Sequence, residues 1–235
     1  MSQSPNLVLD SLPAAAFASL RPHLTDVELL QGSVLFDIGD SIRQVYFPHS
    51  GVVSLVVPLA SGETIEAAMI GRESLAGGAA GLGGQISVCK AIVQIAGAGS
   101  VLDAERFRAF VNTSPDLRTT LFRHEQLILA QAQQSAGCNA THTVEARLSR
   151  WLLRCRDLQG GDDLQLTQEF LGQMLGVRRT SVSVVANTLQ EAGLIRYRRG
   201  RIQIINLAAL QNTACECYQT VKTLSERLLG PQTRS

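Results

Sequence analysis

Near Asp103 the residue pattern of this chain changes period, and that change constrains the fold more than any other feature. Before it, β-branched and aromatic residues come in short runs: Val27–Leu30, Val34–Phe36, Val45–Phe47, Val52–Val57, Thr64–Ile70 and Ala91–Ile95. Gly32, Gly39, Gly51, the Ser61-Gly62 pair and Gly97 punctuate them. Short runs separated by turn signals at intervals of roughly 8–12 residues predict an all-β sandwich or roll. A short helix over Leu12–Leu20 opens the chain. After Asp103 the apolar residues recur with helical spacing instead. Ala104–Val111 reads as a short helix, and Asp116 to about Ser135 as a longer one, with Ser114 as its cap and Pro115 at its first position. Along the long helix Leu117, Leu121, Ile128 and Ala132 form one apolar stripe. The stripe either packs on the β domain or pairs with a second copy of the chain. Val144–Asp157 is a third amphipathic segment, with Val144, Leu148, Trp151, Leu152 and Cys155 inward.

The expected class is therefore α+β: an N-terminal double-stranded β-helix or jelly roll, a long helix, and a helical C-terminal region. Residues 1–113, 114–140 and 141–235 mark the three parts. With 235 residues, 45% of them hydrophobic and 17% charged, the chain can bury two modest cores. No run approaches the roughly 18 apolar residues that span a bilayer, and the opening MSQSPNLVLD lacks a basic-then-apolar signal segment, so a cytoplasmic protein without a membrane partner is expected. Five irregularly spaced cysteines argue for reduced thiols rather than a disulfide framework.

Net charge is only +1, yet it is unevenly placed. Residues 1–140 hold 8 Lys and Arg against 12 Asp and Glu, and residues 141–235 hold 13 against 8. Only the second half is suited to a polyanion. Within it, Thr167 can cap a helix with Phe170, Leu171, Met174 and Leu175 inward, and Gly176 breaks that helix. A second helix, from about Arg179 to Ala192, packs through Val182, Val185, Ala186 and Leu189. That leaves Arg178, Arg179, Thr180, Ser181, Ser183 and Asn187 at its outward, N-terminal end. This is the pattern of a helix-turn-helix, in which those positions enter the major groove of double-stranded DNA. Gly193 ends the second helix, and Leu194–Arg198, Arg199-Gly200 and Arg201–Asn206 read as a tight hairpin, a wing that carries Arg196, Arg198, Arg199 and Arg201.

The order of β roll, long helix, Leu171-Gly172-Gln173-Met174-Leu175-Gly176-Val177, then Arg178-Arg179-Thr180-Ser181-Val182 and Gly193-Leu194-Ile195, resembles the Crp/Fnr superfamily of transcription regulators. The resemblance spans almost the whole chain. It implies a homodimer held by the long helix, a palindromic operator with half-sites one DNA turn apart, and RNA polymerase as a partner. Arg179 matches the family arginine that reads guanine, and Arg178 and Ser181 stand where base or phosphate contacts are expected. Thr180 replaces an acidic residue of the pattern and Val184 a basic one, so the operator should differ from the best-known consensus.

The effector is not named by the sequence. In cyclic-nucleotide-binding members an acidic residue follows a glycine, and an Arg-Ser/Thr pair neutralises the cyclic phosphate. Here Gly71 and Glu73 keep the first part, but Cys89-Lys90 stand where the pair belongs, and a lysine lacks the bidentate fork of arginine. A cyclic nucleotide is thus disfavoured, and Gly71, Glu73, Cys89 and Lys90 remain the candidate effector residues. The Gly77-Gly78 and Gly81–Gly84 stretch lacks the Gly-Lys-Ser/Thr of a P-loop and reads as a flexible surface loop. On one helix over Leu207–Leu228, Cys215 and Cys217 would point about 200° apart, and His23, His49, His124 and His142 are scattered; no metal site and no cofactor are expected. A cupin-like enzyme would need a histidine-rich strand set that the chain lacks, and a protein-binding module would not need the arginine wing.

Overall fold

The computed structural model describes residues 3–60 and 63–230, so the Ser61-Gly62 turn lies outside the described residues. The chain clusters into two compact units. One comprises the described residues of Met1–Leu55, Met69–Ala130 and Leu224–Ser235; the other comprises those of Val56–Ala68 and Gln131–Thr223.

The first unit opens with α1 (Leu7–Asp10) and α2 (Ala14–Leu20). The Asn6 side chain caps α1 and also donates to the Pro48 and Ser74 carbonyls at 2.9 Å each, which ties this opening to the β roll. The strands that follow in the chain are β1 (Thr25–Leu29), β2 (Val34–Phe36), β3 (Gln44–Pro48), β4 (Val52–Pro58), β5 (Thr64–Ile70), β6 (Lys90–Ile95) and β7 (Gly97–Asp103), of which the end of β4 and most of β5 fall in the second unit. They form two sheets in the orders β1-β7-β3 and β2-β6-β4-β5, a roll of the kind the alternating pattern predicts.

One strand escaped the sequence reading. β7 lies at the centre of its sheet, paired antiparallel to both β1 and β3, but its Gly97 and Gly99 look like turn residues. The glycine at 97 answers a close approach: a Cβ there would sit 2.2 Å from the Ser50 carbonyl oxygen, so only glycine fits.

Behind the roll, α3 (Ala104–Thr113), capped by Asp103, and the first half of α4 (Pro115–Thr141) close the core. Val45, Phe47, Leu75, Leu102, Phe107, Leu117 and Leu121 pack there with Leu9 and Leu20 from the opening helices. Phe47 and Phe107 meet edge to face at 5.8 Å. The stripe from Leu117 to Leu121 is thus used inside its own unit. The glycine-rich stretch also differs from the expected surface loop. It forms a 3₁₀ turn, Gly78–Leu82, in which Gly78 and Gly81 are buried. A Cβ on Gly81 would meet Phe107 at 2.7 Å and Leu121 at 2.8 Å, so the glycines permit close packing.

In the second unit, α5 (Val144–Gln159) is capped by Thr143 and ends at Gly160. β8 (Asp163–Gln165), α6 (Gln168–Leu175), α7 (Arg179–Glu191), β9 (Ile195–Arg198), β10 (Arg201–Ile204), α8 (Leu207–Thr213) and α9 (Cys217–Leu229) follow. The expected single helix over Leu207–Leu228 is therefore two. The cap at Ala214 is extended, Cys215 lies between the helices, and α9 begins at Cys217. No helix among the described residues is long and apolar enough to cross a membrane.

Gly81→Ala is expected to destabilise the protein by about 1–3 kcal/mol through overpacking against Phe107 and Leu121. Gly161→Ala, where a Cβ meets nothing within 4 Å, is expected to change stability little. Urea unfolding of the two variants beside the parent checks this, and equal stability of all three would contradict the packing role.

Candidate nucleic-acid interface

Two capping devices shape the helix pair. Thr167 Oγ1 accepts the Phe170 N–H at 3.2 Å and starts α6. Gly176 ends it in the left-handed region, φ 61°, with Val177 N–H donating back to the Gly172 carbonyl at 2.9 Å. Leu171, Met174 and Leu175 of α6 and Val182, Ala186 and Leu189 of α7 are buried, and Phe170 and Val185 are half-buried, so the two helices share one apolar seam.

What remains outside is the other face of α7. Arg178, Arg179 and Thr180 are exposed and Ser181 is half-buried at the N-terminal turn, where the helix field favours phosphate, and Asn187 is exposed about two turns further along. Val184 is 65% exposed on the same face, an apolar surface suited to a thymine methyl. Ser183 departs from its neighbours. Its Oγ lies 2.6 Å from Gln168 Oε1 and 3.0 Å from the Arg179 carbonyl oxygen, so its one proton is engaged inside the motif.

The wing is a two-residue hairpin. Arg198 faces Arg201 across the strands, and the turn residues Arg199 and Gly200 both have positive φ, 47° and 78°. That pair of conformations gives the twist a tight hairpin requires. β8 extends the hairpin into a three-stranded sheet, β8-β10-β9. Gln190 of α7 accepts the Tyr197 N–H at 2.8 Å, which holds the hairpin beside that helix. Arg196, Arg198, Arg199 and Arg201 are all exposed. Arg147 and Arg150 on α5 are instead buried, so they add to the charge of the C-terminal half without adding to its outer surface.

The candidate effector residues are placed differently from one another. Gly71 is buried directly after β5, and Glu73 is half-buried. Cys89 lies in the bend before β6, and burial pushes its thiol up. Lys90 opens β6, and its ammonium pairs with Asp37 at 2.8 Å, a contact that holds the Asp37 carboxyl below the usual carboxylate range.

Two family models match the chain: a Crp-like helix-turn-helix domain over residues 146–213 and a cyclic nucleotide-binding domain over residues 26–114. The chain belongs to the Crp/Fnr superfamily of transcription regulators. A global nitrogen regulator from Synechococcus elongatus is 26% identical over 193 residues, which cover 77% of this chain and 85% of that protein. Among solved structures, a Crp-family transcriptional regulator from Thermus thermophilus superposes with a TM-score of 0.66 at 21% identity, covering 80% of this chain and 96% of the other. FixK2 from Bradyrhizobium japonicum superposes with a TM-score of 0.67 at 16% identity, covering 82% and 98%. At such identities the structural likeness is one of fold. Family and fold together make the Crp/Fnr member a DNA-binding transcription regulator.

Sequence reasoning missed a cluster of a different kind. Because the C-terminal helix is broken, Cys215 and Cys217 point to one place, where they meet Cys138 and His142. The separation expected of them on one continuous helix does not occur. The available signal was the spacing: Cys138-x3-His142 and Cys215-x-Cys217 flank the helix-turn-helix, one pair on each side.

Ser183→Ala is expected to cost about 0.5–1.5 kcal/mol in the stability of the free protein, because it removes the link to Gln168. Urea unfolding without DNA reads it; a hydroxyl used only on DNA would leave that stability unchanged.

Proposed function

We propose that this regulator binds a palindromic duplex operator as a homodimer. In this reading Arg178, Arg179, Thr180 and Ser181 contact base edges and phosphates in the major groove, and Arg198, Arg199 and Arg201 contact backbone phosphates. The carrying observation is the juxtaposition of an exposed Arg- and hydroxyl-rich helix end with an arginine hairpin fastened beside it through Gln190. Ser183 serves chiefly to hold α7 on α6. Residues 1–113 form the sensor, 114–140 the dimerisation helix and 141–235 the DNA-binding domain. The protein works in the cytoplasm, engages RNA polymerase at its promoters and is not an enzyme.

The dimer reading is supported by a second face of α4. Phe122, Gln126, Leu129, Gln133, Ala136 and Ala140 are exposed at alternating spacings of four and three, the repeat of a coiled-coil seam. Phe122 and Leu129 are large apolar residues in water on that face, 56% and 58% exposed. Of the stripe named from the sequence, Leu117 and Leu121 are spent on the core of the first unit and Ile128 and Ala132 are half-buried; the neighbouring exposed stripe is the better candidate for a second copy.

For the sensor, the Lys90 ammonium is already neutralised by Asp37, which speaks against its use as a phosphate ligand. We therefore favour an effector other than a cyclic nucleotide. A cyclic-nucleotide-responsive regulator is the second reading, on the strength of the family-model match to residues 26–114.

Selection from random duplexes with purified protein is expected to recover a palindrome with half-sites one turn apart. On that site Arg179→Ala should cost about 1–3 kcal/mol and relax preference at one base pair, whereas Arg199→Ala should weaken matched and scrambled duplexes alike and flatten the salt dependence by about one unit of slope. Equal losses by both variants on both duplexes, or no enriched sequence, would refute this division of labour. Phe122→Glu combined with Leu129→Glu is expected to give monomers in sedimentation equilibrium with thermal stability retained. A persistent dimer would move the interface elsewhere.

A further inference from the structure

We propose that Cys138, His142, Cys215 and Cys217 form a tetrahedral zinc(II) site that staples the end of the long helix to the start of the last one. Their four ligand atoms all lie within 4.8 Å of one another. Cys138 Sγ is 3.5 Å from Cys215 Sγ, and Cys217 Sγ is 3.6 Å from His142 Nδ1. A tetrahedral centre with metal–sulfur bonds of about 2.3 Å and metal–nitrogen bonds of about 2.0–2.1 Å has edges of about 3.8 Å between sulfurs and about 3.6 Å between sulfur and nitrogen. The observed edges approach those values. Three thiols and one imidazole are the donor set of a closed, structural zinc site, with no position left for water or substrate.

The surroundings match that chemistry. His142 turns Nδ1 towards Cys217, while its Nε2 lies 3.2 Å from the Glu216 carboxylate. A carboxylate on the far nitrogen of a ligating histidine fixes the ring and makes the near nitrogen a better donor. Gln134 Nε2 donates to Cys217 Sγ at 3.0 Å, the kind of outer hydrogen bond that steadies a thiolate. Cys138, Cys215 and Cys217 are buried, which protects a metal–thiolate centre from exchange.

Charge balance points the same way. Three thiolates around a divalent zinc leave one net negative charge. Arg147 and Arg150 are buried nearby, both within electrostatic reach of the Cys138 sulfur, and their Nε atoms have no hydrogen-bond partner among the described residues. Buried cations without enough hydrogen bonds are costly unless an anion offsets them. The anionic zinc–thiolate centre is that anion.

The consequence lies in chain connectivity. Cys138 and Cys215 are 77 residues apart, and everything between them is the helix-turn-helix, its wing and the helices that carry them. A zinc ion at this place closes the DNA-reading segment into one loop, so its stability depends on metal as well as on its apolar core.

The test uses the full chain, purified reduced and without a metal-affinity tag. Elemental analysis is expected to give about one zinc per chain, as for a four-ligand structural site. Cobalt(II) titrated into the metal-free protein should produce sulfur-to-metal charge transfer and the intense ligand-field bands of a tetrahedral thiolate centre. Cys217→Ser and His142→Gln should lose stoichiometric zinc, Glu216→Gln should weaken zinc affinity about 10–100-fold, and Cys89→Ser should retain both stoichiometry and affinity. Because a ligand variant can fail to fold, the cobalt spectrum of the parent chain stands as an independent measure. Parent protein without zinc and without the tetrahedral cobalt spectrum would overturn the proposal. So would folded ligand variants that keep full zinc, iron at full occupancy in place of zinc, or a Cys138–Cys215 disulfide as the sole state of protein prepared without air.

Discussion

Arg147 reaches out of α5 to donate to the carbonyl of Leu175, one of the acceptors that the last turn of α6 leaves without a partner inside the helix. That contact stands for a wider dependence. From Arg147 to Cys155 every residue of α5 is buried, and the helix packs against β8, α6, α7 and α8 at once. Trp151, fully buried, donates its indole N–H to the Glu66 carboxylate at 3.0 Å. A helix enclosed in this way cannot tilt without breaking several interfaces together, and dense interiors resist such adjustment. The placement of α7 is thus inherited from α5 directly and through α6. Substituting along α5 therefore disturbs α7 without touching its exposed residues.

The long helix poses a different problem, since it carries apolar residues on two sides. Leu117, Leu121, Leu127 and Cys138 are buried along one side, and Phe122 and Leu129 stand exposed on another. Summed over the whole helix these two stripes largely cancel, which is why the sequence pattern along it looks weak. Read by single residues, the buried set keeps to one side of the helix, and Phe122 and Leu129, seven residues apart, lie on a face displaced around the axis. One apolar stripe in the sequence is thus ambiguous, whereas exposure separates the residues spent on intramolecular packing from those left in water.

Period and caps carried most of the fold into the sequence. Thr167, Gly176 and Gly193 mark the helix ends of the DNA-reading motif by local conformation alone, and local conformation is what a sequence writes most directly. The failures share a physical cause, because each depends on what a distant segment places nearby. Gly97 reads as a turn unless the Ser50 carbonyl is known to lie against it, and Gly81 reads as a loop unless Phe107 is known to cover it. The break after Thr213 escapes because Ala214 is an excellent helix former; the cluster with Cys138 and His142, and the burial of Cys215, belong to the tertiary structure and decide against propensity. At the N-terminal end of α7 the exposed set was legible, since apolar spacing on one side of a helix defines the other. The internal engagement of Ser183 was not, because it rests on Gln168 fifteen positions earlier.

Charge shows most clearly how a summed quantity misleads. The basic excess of the C-terminal half suggests one broad cationic surface, yet the burial of Arg147, Arg150 and Arg154 removes three of its cations from that surface. The outward positive field is instead concentrated on two short segments, Arg178-Arg179 and the four arginines of the wing. Clustered guanidinium groups repel one another in the free protein, and a phosphate backbone removes that repulsion while releasing its own counterions. In the proposed mode of binding, affinity on any duplex comes mainly from the wing and the helix end, whereas discrimination between sequences falls to the few side chains of α7 that reach base edges. In that proposal the wing, held through Gln190, reads the spacing of phosphates, and α7 reads what lies between them.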